Sequence, residues 1–454
     1  MNIRDRKEIE NLASYAMELA LKKGAAGADV LYAEGAGNAL SLIDGEIEDC
    51  VCGENSGMGV RTILSDGRQG IAYGNRLDRH AIEQLAEWSI NNAKLSEPEE
   101  GIQLYKGEMV SDPSISLEDE AINRITPQDR MSHCLEMTKI AQSMDKRIIS
   151  VRSSAWNDGW GASYYAASTG IAGWEHGNSA SCGVTVLAQD EAGGGIEIGG
   201  YGDESRRLSD INIEEIARLA VQKTVEYLGS STIPTGTYTL VLEPETTASF
   251  IEILGDLFCS PEIHKGRSLM KGKLGEAVAS SCITLTDCGR LPWRAGSASW
   301  DSEGAPTGTT VLIDKGIARS YLYNLQYAEK DGVKTTGNAC RGMSSLPNVS
   351  TSNLVLEAGT ESRENIISSI KKGMIVTELM GLHTMDPVTG AFSLGAKGLY
   401  IENGEVTRAV NGVTIASTLT EFIKKVTAVG ADQKFYGSTA ASTMVVEDIV
   451  IAGE

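Results

Sequence analysis

A catalytic metal needs converging imidazoles, thiolates or carboxylates, and this chain spaces its imidazoles too widely to supply them. Its five histidines are His80, His133, His176, His264 and His383, no two of them three to five residues apart. No helix therefore presents a His pair on one face, and neither HExxH nor HExxxH occurs. Eight cysteines are scattered along the chain, none in a C-x-x-C pair, and Cys50-Val51-Cys52 stands isolated. Serine chemistry is poorly specified. Ser268–Lys271, Ser368–Lys371 and Ser369–Lys372 all fit S-x-x-K, but Lys334-Thr335-Thr336-Gly337 only approximates the accompanying K-T-G, and no G-x-S-x-G elbow is present. Gly57-Met58-Gly59-Val60-Arg61 completes neither a dinucleotide nor a Walker loop and reads as a turn into a strand. Gly193-Gly194-Gly195 and Gly199-Gly200 read as bulges or close backbone contacts. Carboxylates remain: Asp301 and Glu303 in Asp-Ser-Glu-Gly, Glu378 in VTELMG, and Asp386. Such groups can move protons, although most carboxylates in this setting form turns or face solvent.

The elements that must hold these side chains are partly legible. Ile9, Leu12, Ala13, Ala16, Leu19 and Ala20 recur at helical spacing and predict a helix over 7–23, ended by Gly24. Strands follow at 28–34, 41–50, 59–64 and 67–74, then a helix near 78–95. Residues 95–120 are polar and read as a linker. Thr126 as N-cap, Pro127 at the first position and Asp129 three residues on start another helix. Short strands punctuated by Asn157-Asp158-Gly159 and Ser168-Thr169-Gly170 come next, and a helix near 213–228 closes this region. SSTIPTG at 230–236 marks a boundary, followed by a strand at 237–243, helices near 245–258 and 362–372, and many glycine-bounded strands. The expected fold is α+β. It has an N-terminal α/β lobe (1–100), a central helix-plus-meander lobe (120–230), and a strand-rich, mostly antiparallel C-terminal domain (235–454).

Composition narrows the functional classes. Forty Lys and Arg against 61 Asp and Glu give a net charge of −21. A surface this acidic repels phosphate backbones and anionic lipid, so neither nucleic acid nor membrane is an expected partner. The first residues are charged and amphipathic, no stretch approaches a membrane span, and the unpaired cysteines suit a reducing compartment. The expected location is cytoplasmic.

Several segments together resemble the TldD/PmbA family, once called modulators of DNA gyrase and regarded as peptidases. They are DGEIEDCVCGENSGMGVRTI (44–63), GSASWDSEGAPTGTTVLIDKGI (296–317), KTTGNA (334–339), the long stretch 373–417 and VTAVGAD (426–432). The resemblance implies two branches. TldD-like chains hold zinc through HExxxH and a C-terminal cysteine, and PmbA (TldE) chains lack that motif. Laid on this chain, the motif falls on residues 251–256: Ile251 and Asp256 stand where histidines would, Glu252 remains, and Tyr436 replaces the cysteine. VTELMG (376–381) also lies closer to the PmbA branch. The resemblance thus implies no metal and no catalytic residue in this chain, zinc in a TldD-like partner, and a heterodimer cleaving unfolded, extended peptides, with a homodimer in isolation as a further form. Asp301, Glu303 and Glu378 are the carboxylates expected to meet peptide. Two alternatives stand beside this: an autonomous peptidase with unorthodox ligands or S-x-x-K chemistry, and a non-enzymatic regulator of a partner such as gyrase.

Overall fold

The computed structural model describes residues 3–190, 195–386 and 388–454. In the N-terminal half the order is α1 (Arg6–Lys22), β1 (Gly27–Ile43), β2 (Glu46–Ile63), β3 (Gln69–Gly74), α2 (Arg79–Leu95), α3 (Glu120–Asn123), α4 (Pro127–Met144), β4 (Ile148–Ala167), β5 (Ala172–Gln189), β6 (Ile196–Ser205) and α5 (Ile213–Val225). The helix starts follow local chemistry. Asp5 caps α1 and Asp78 caps α2 through side-chain acceptance of a first-turn N–H. Thr126 and Asp129 complete a reciprocal capping box at α4. Helix α1 buries Ile9, Ala13, Ala16 and Ala20, the stripe its spacing demands.

The six strands form one antiparallel sheet in the order β3-β2-β1-β4-β5-β6. Strands from both N-terminal regions thus share one ladder, through the β1–β4 pairing. The strands are longer than anticipated. Asn157-Asp158-Gly159 does not break a strand but lies inside β4, because Asp158 has partners within the sheet. It accepts from Asn38 Nδ2 at 3.0 Å and Trp156 Nε1 at 3.2 Å, and it forms a salt bridge with Arg130. Gly57 and Gly59 likewise lie inside β2 rather than in a turn. A Cβ on Gly59 would sit 2.0 Å from the Met343 carbonyl oxygen, so glycine there permits close approach of the C-terminal half. The connection over 95–120 is largely irregular, yet it sinks Leu104 and Ile115 into the protein. Gly199 and Gly200 lie in β6, whereas Gly193 and Gly194 fall outside the described residues.

The C-terminal half continues with β7 (Gly236–Leu242), α6 (Pro244–Asp256), α7 (Ser260–His264), β8 (Leu285–Cys288), β9 (Thr309–Asp314), β10 (Ile317–Ala318), α8 (Leu325–Asp331), β11 (Ala339–Cys340) and β12 (Asn348–Val349). It then runs through β13 (Leu354–Leu356), α9 (Arg363–Ser369), β14 (Lys372–Met380), β15 (Ala391–Glu402), β16 (Glu405–Thr418), α10 (Leu419–Lys424), β17 (Val426–Val429), β18 (Lys434–Tyr436), β19 (Thr439–Ala441) and β20 (Met444–Ala452). One sheet runs β16-β15-β14-β7-β20-β17, and β16 also pairs with β20, which closes it on itself. A second runs β10-β9-β8-β13-β19-β18. Most pairs are antiparallel, with β7–β14 and β13–β19 parallel. Between these sheets lies the largest apolar core, where Phe250 of α6 stacks on Phe422 at 4.7 Å and meets Phe392 edge-on at 5.7 Å. The architecture is α+β, with strand-rich C-terminal sheets.

Candidate functional site

Helix α6 is placed by its first turn and by its apolar face. Pro244 opens it with φ preset for the first turn, and its apolar face, including Phe250, Ile251 and Leu254, enters the core. Ile251 is fully buried there. Glu252 and Asp256, one turn apart, lie instead on the wall of a groove of about 420 Å³, with Ser249, Ile253, Leu257, Leu269, Leu382, Met385 and Leu419 as neighbours. Burial in this apolar groove raises the pKa of both carboxyls, and the charge of Asp256 adds to the rise at Glu252. Asp386 lines the same groove.

Tyr436 ends β18, which packs near α6. Burial raises its pKa, and Tyr201, Glu245, Glu243 and Asp203 add to the rise. The same strand walls a much larger cleft, about 950 Å³, between the N-terminal sheet and the C-terminal half. Gly161, His176 and Asn178 contribute from β4 and β5, and Trp293, Lys434 and Phe435 from the opposite side. Polar bonds pin the two sides together. Arg206 donates to the carbonyls of Arg294 at 3.2 Å, Ala295 at 3.0 Å and Leu117 at 3.3 Å. Glu175 accepts the Ser299 N–H at 2.8 Å. Lys434 Nζ reaches Asp203 at 3.1 Å and donates to the Tyr201 hydroxyl. The cleft is therefore a rigidly framed, mixed-charge passage rather than an oily pocket.

Asp301 and Glu303 are not on the wall of this cleft. Both are buried in an ionic cluster that joins the two halves. Arg61 of β2 holds Asp29 of β1 through Nε at 2.8 Å and Nη2 at 2.5 Å, and its Nη1 lies 3.5 Å from Glu303. Arg341 grips the other oxygen of Asp29 at 2.6 Å, and the Tyr165 hydroxyl donates to Asp29 at 3.3 Å. Burial alone would raise the pKa of Asp29, but Arg341 and Arg61 overcome it and hold the carboxyl below its usual range. Glu303 accepts the Leu325 N–H at 3.0 Å. Asp301 accepts backbone N–H groups from Glu303, Ala305 and Ala339 at 2.9, 3.1 and 3.0 Å. Gly304, at φ +80°, turns the chain where a Cβ would strike Tyr165, Ile171 and Met109. The Asp-x-Glu-Gly element is thus spent on joining the halves, which leaves its carboxylates no open face toward a peptide. Glu378 lies elsewhere, exposed on β14 beside a bulge.

Neither arginine was singled out from sequence as a structural clasp. Nothing in a linear pattern tells a buried Arg61 from a solvated one, since its partners lie 32 and 242 positions away. The S-x-x-K serines are also committed. Ser268 donates to the Leu257 carbonyl at 2.5 Å, and Ser368 and Ser369 donate to helical carbonyls of Asn365 and Ile366.

Asp301 makes stability depend on pH. Burial, then repulsion from Glu303, pushes its pKa from 3.8 up to about 7. Between those values the folded protein holds a proton that the unfolded chain has released. Stability is therefore greatest at the acidic end and falls as pH rises through the window from 3.8 to about 7. Asp301→Asn keeps Oδ1 for two of the three N–H donors and cannot ionise. Urea midpoints at pH 5 and pH 8 should lie closer together in this variant than in the wild type. An unchanged gap contradicts the assignment.

Comparison with known proteins gives the family. Models of the PmbA/TldA metallopeptidase domain 1, central domain and C-terminal domain match residues 28–93, 120–228 and 235–453. The chain belongs to the PmbA/TldD metallopeptidase family. Among its relatives, the metalloprotease PmbA of Escherichia coli O157:H7 is 24% identical over 450 residues, covering 99% of this chain and 97% of that one. A metalloprotease of Methanothermobacter thermautotrophicus is 27% identical, covering 89% and 88%. The TldE crystal structure from Thermococcus kodakarensis superposes with a TM-score of 0.87 at 24% identity, covering 98% and 100%. A Bacteroides thetaiotaomicron structure named for modulation of DNA gyrase gives 0.89 at 26% identity, covering all of both chains. No helix among the described residues is long and apolar enough to cross a membrane.

For a PmbA/TldD metallopeptidase the resident metal is the next question. A catalytic zinc takes about three N, S or O donors and leaves one position for water. The positions on α6 offer two carboxylates, and Ile251 is an alkyl group packed in the core. Tyr436 is a phenol whose pKa is raised by burial, so its oxygen stays protonated. Among the described residues no group of three His, Cys, Asp or Glu converges. The donor set does not fit the metal.

Proposed function

We propose that this chain is the TldE-like, metal-free subunit of a cytoplasmic two-chain peptidase. Its partner is a TldD-like chain that carries the zinc, and the substrate is an unfolded, extended peptide that this chain guides along its interlobe cleft. The observation that carries the proposal is the fate of the first ligand position on α6. Its side chain is Ile251, turned into the apolar core. Glu252 keeps the acid of the motif, but neither the alkyl group of Ile251 nor the protonated phenol of Tyr436 would hold a metal-bound water for it to deprotonate. What the chain does offer is a framed cleft of about 950 Å³ whose wall includes the strand bearing Tyr436. On that wall β18 pairs with β19 alone among the described residues, and a strand edge suits an extended backbone.

Metal analysis and reconstitution test this together. The purified chain should carry below roughly 0.1 equivalents of zinc after dialysis and should not cleave an unfolded protein such as reduced casein. Adding a TldD-like chain should produce chelator-sensitive cleavage, and Glu252→Gln in this chain should leave that activity within about twofold. Stoichiometric zinc in the isolated chain, lost on Asp256→Ala, sinks the proposal.

A further inference from the structure

Four Lys and Arg residues line the large cleft: Arg206, Arg207, Arg294 and Lys434. Three of them are engaged. Arg206 gives its N–H groups to three backbone carbonyls, Arg207 pairs with Asp210 at 2.6 Å, and Lys434 reaches Asp203. Arg294 differs. Among the described residues its guanidinium has no carboxylate partner and donates to no protein acceptor. A ring holds it instead: Cζ lies 4.0 Å from the centroid of Phe435 in β18. Stacking fixes the plane of the group and leaves the N–H groups on its rim free to donate.

The backbone beside Arg294 is strained. Trp293 sits at φ +63°, a left-handed conformation that a bulky side chain rarely adopts. Its N–H donates to the Ile115 carbonyl at 2.9 Å, and Arg207 lies over its ring at 5.9 Å. Arg206 holds the Arg294 and Ala295 carbonyls, and the Gly296 N–H donates to Asn353 Oδ1 at 2.9 Å. Contacts from both walls thus fix this turn and set Arg294 over β18. Strain of this kind persists only where the surroundings enforce it, and it gathers at binding sites.

The chemistry of the group selects its ligand. A planar cation with adjacent free N–H groups matches a carboxylate through paired bonds. A polyanion is a poor fit, because the neighbouring cations are engaged and Glu204 shares the wall. We infer that Arg294 receives a carboxylate of the peptide in the cleft, either its C-terminal one or that of an Asp or Glu side chain. This rests on the cleft being the peptide's route, and it adds the feature of the peptide that is gripped there.

The purified chain alone is tested, since this binding needs neither zinc nor a second subunit. The probes are ten-residue peptides of Gly, Ser and Ala with a neutral coumarin at the N-terminus. One ends in a free acid, one in an amide, and one in an amide with a single internal Glu. In fluorescence anisotropy at least one of the two acid-bearing peptides should bind at least about fivefold tighter than the plain amide. Which of them gains tells a chain terminus from a side chain. Arg294→Gln should bring the three affinities together and leave that of the plain amide unchanged. Arg294→Glu should reverse the order, and Arg294→Lys, which keeps the charge but not the planar fork, should retain part of the preference. Equal affinities in the wild type overturn the inference and leave the cleft as the peptide's route. Binding of none of the three overturns both. A preference that survives Arg294→Gln, with the loss appearing instead in association with a TldD-like chain, also overturns the inference, since the group then belongs to the subunit interface.

Discussion

Arg61→Ala should destabilise the protein by about 3–5 kcal/mol, the largest effect expected of any single exchange of a polar side chain here. Arg61 is 2% exposed. Its removal strands two buried carboxylates. Asp29 would keep Arg341 and Tyr165, but Glu303 would keep only the Leu325 N–H. Charges in such a setting cannot recover their lost partner from water. The loss should appear as a melting temperature lower by about 3–5 °C for a chain of this length. Arg61→Lys keeps the charge and loses the fork that meets Asp29 with two nitrogens, so it should fall between. Because the cluster ties β1 and β2 to the Glu303 and Arg341 loops, the variant should also open the interface between the halves. Proteolysis near the Met343 loop reads that directly. A loss under about 1 kcal/mol would mean that the cluster holds little of the fold.

Gly161→Trp should lower peptide cleavage by the reconstituted pair by at least about tenfold, with little change in folding. Gly161 lies on β4 in the wall of the large cleft. A Cβ there would meet nothing closer than the Glu34 carbonyl oxygen at 3.8 Å, and the backbone φ is not of the left-handed kind. The indole is therefore accommodated by the sheet and enters the passage instead. A long unfolded substrate should lose most. A tetrapeptide, which spans less of the cleft, should be cut at a rate nearer the wild type. The melting temperature should stay within about 2 °C. Unimpaired cleavage of long substrates would mean that the peptide takes another route.

What was legible in sequence was local. The stripe Ile9–Ala20 and the Thr126–Asp129 box each decide their own few turns of backbone, so α1 and α4 sit where the pattern puts them. That Ile251 cannot ligate a metal was legible too, because an alkyl side chain has no donor atom in any context. Illegible features were those set by distant partners. Asp29 and Arg341 are 312 positions apart. Until the halves meet, nothing separates the Asp301 carboxylate from a turn former at the surface. Asn157-Asp158-Gly159 carries turn chemistry by type, and Asp158 stays in β4 through Arg130, 28 positions upstream. Gly59 is small for the sake of Met343, which no pattern around residue 59 records.

The ladder between β1 and β4 has a consequence for biogenesis. Asp29 pairs with Ala167, so β1 has left the ribosome 138 residues before its neighbour exists. At ordinary elongation rates that is roughly 10–30 s with one flank of a seventeen-residue strand bare in a crowded cell. A nascent chain in that condition is a substrate for holdase chaperones, and fragments ending before Ile148 should be recovered as aggregates.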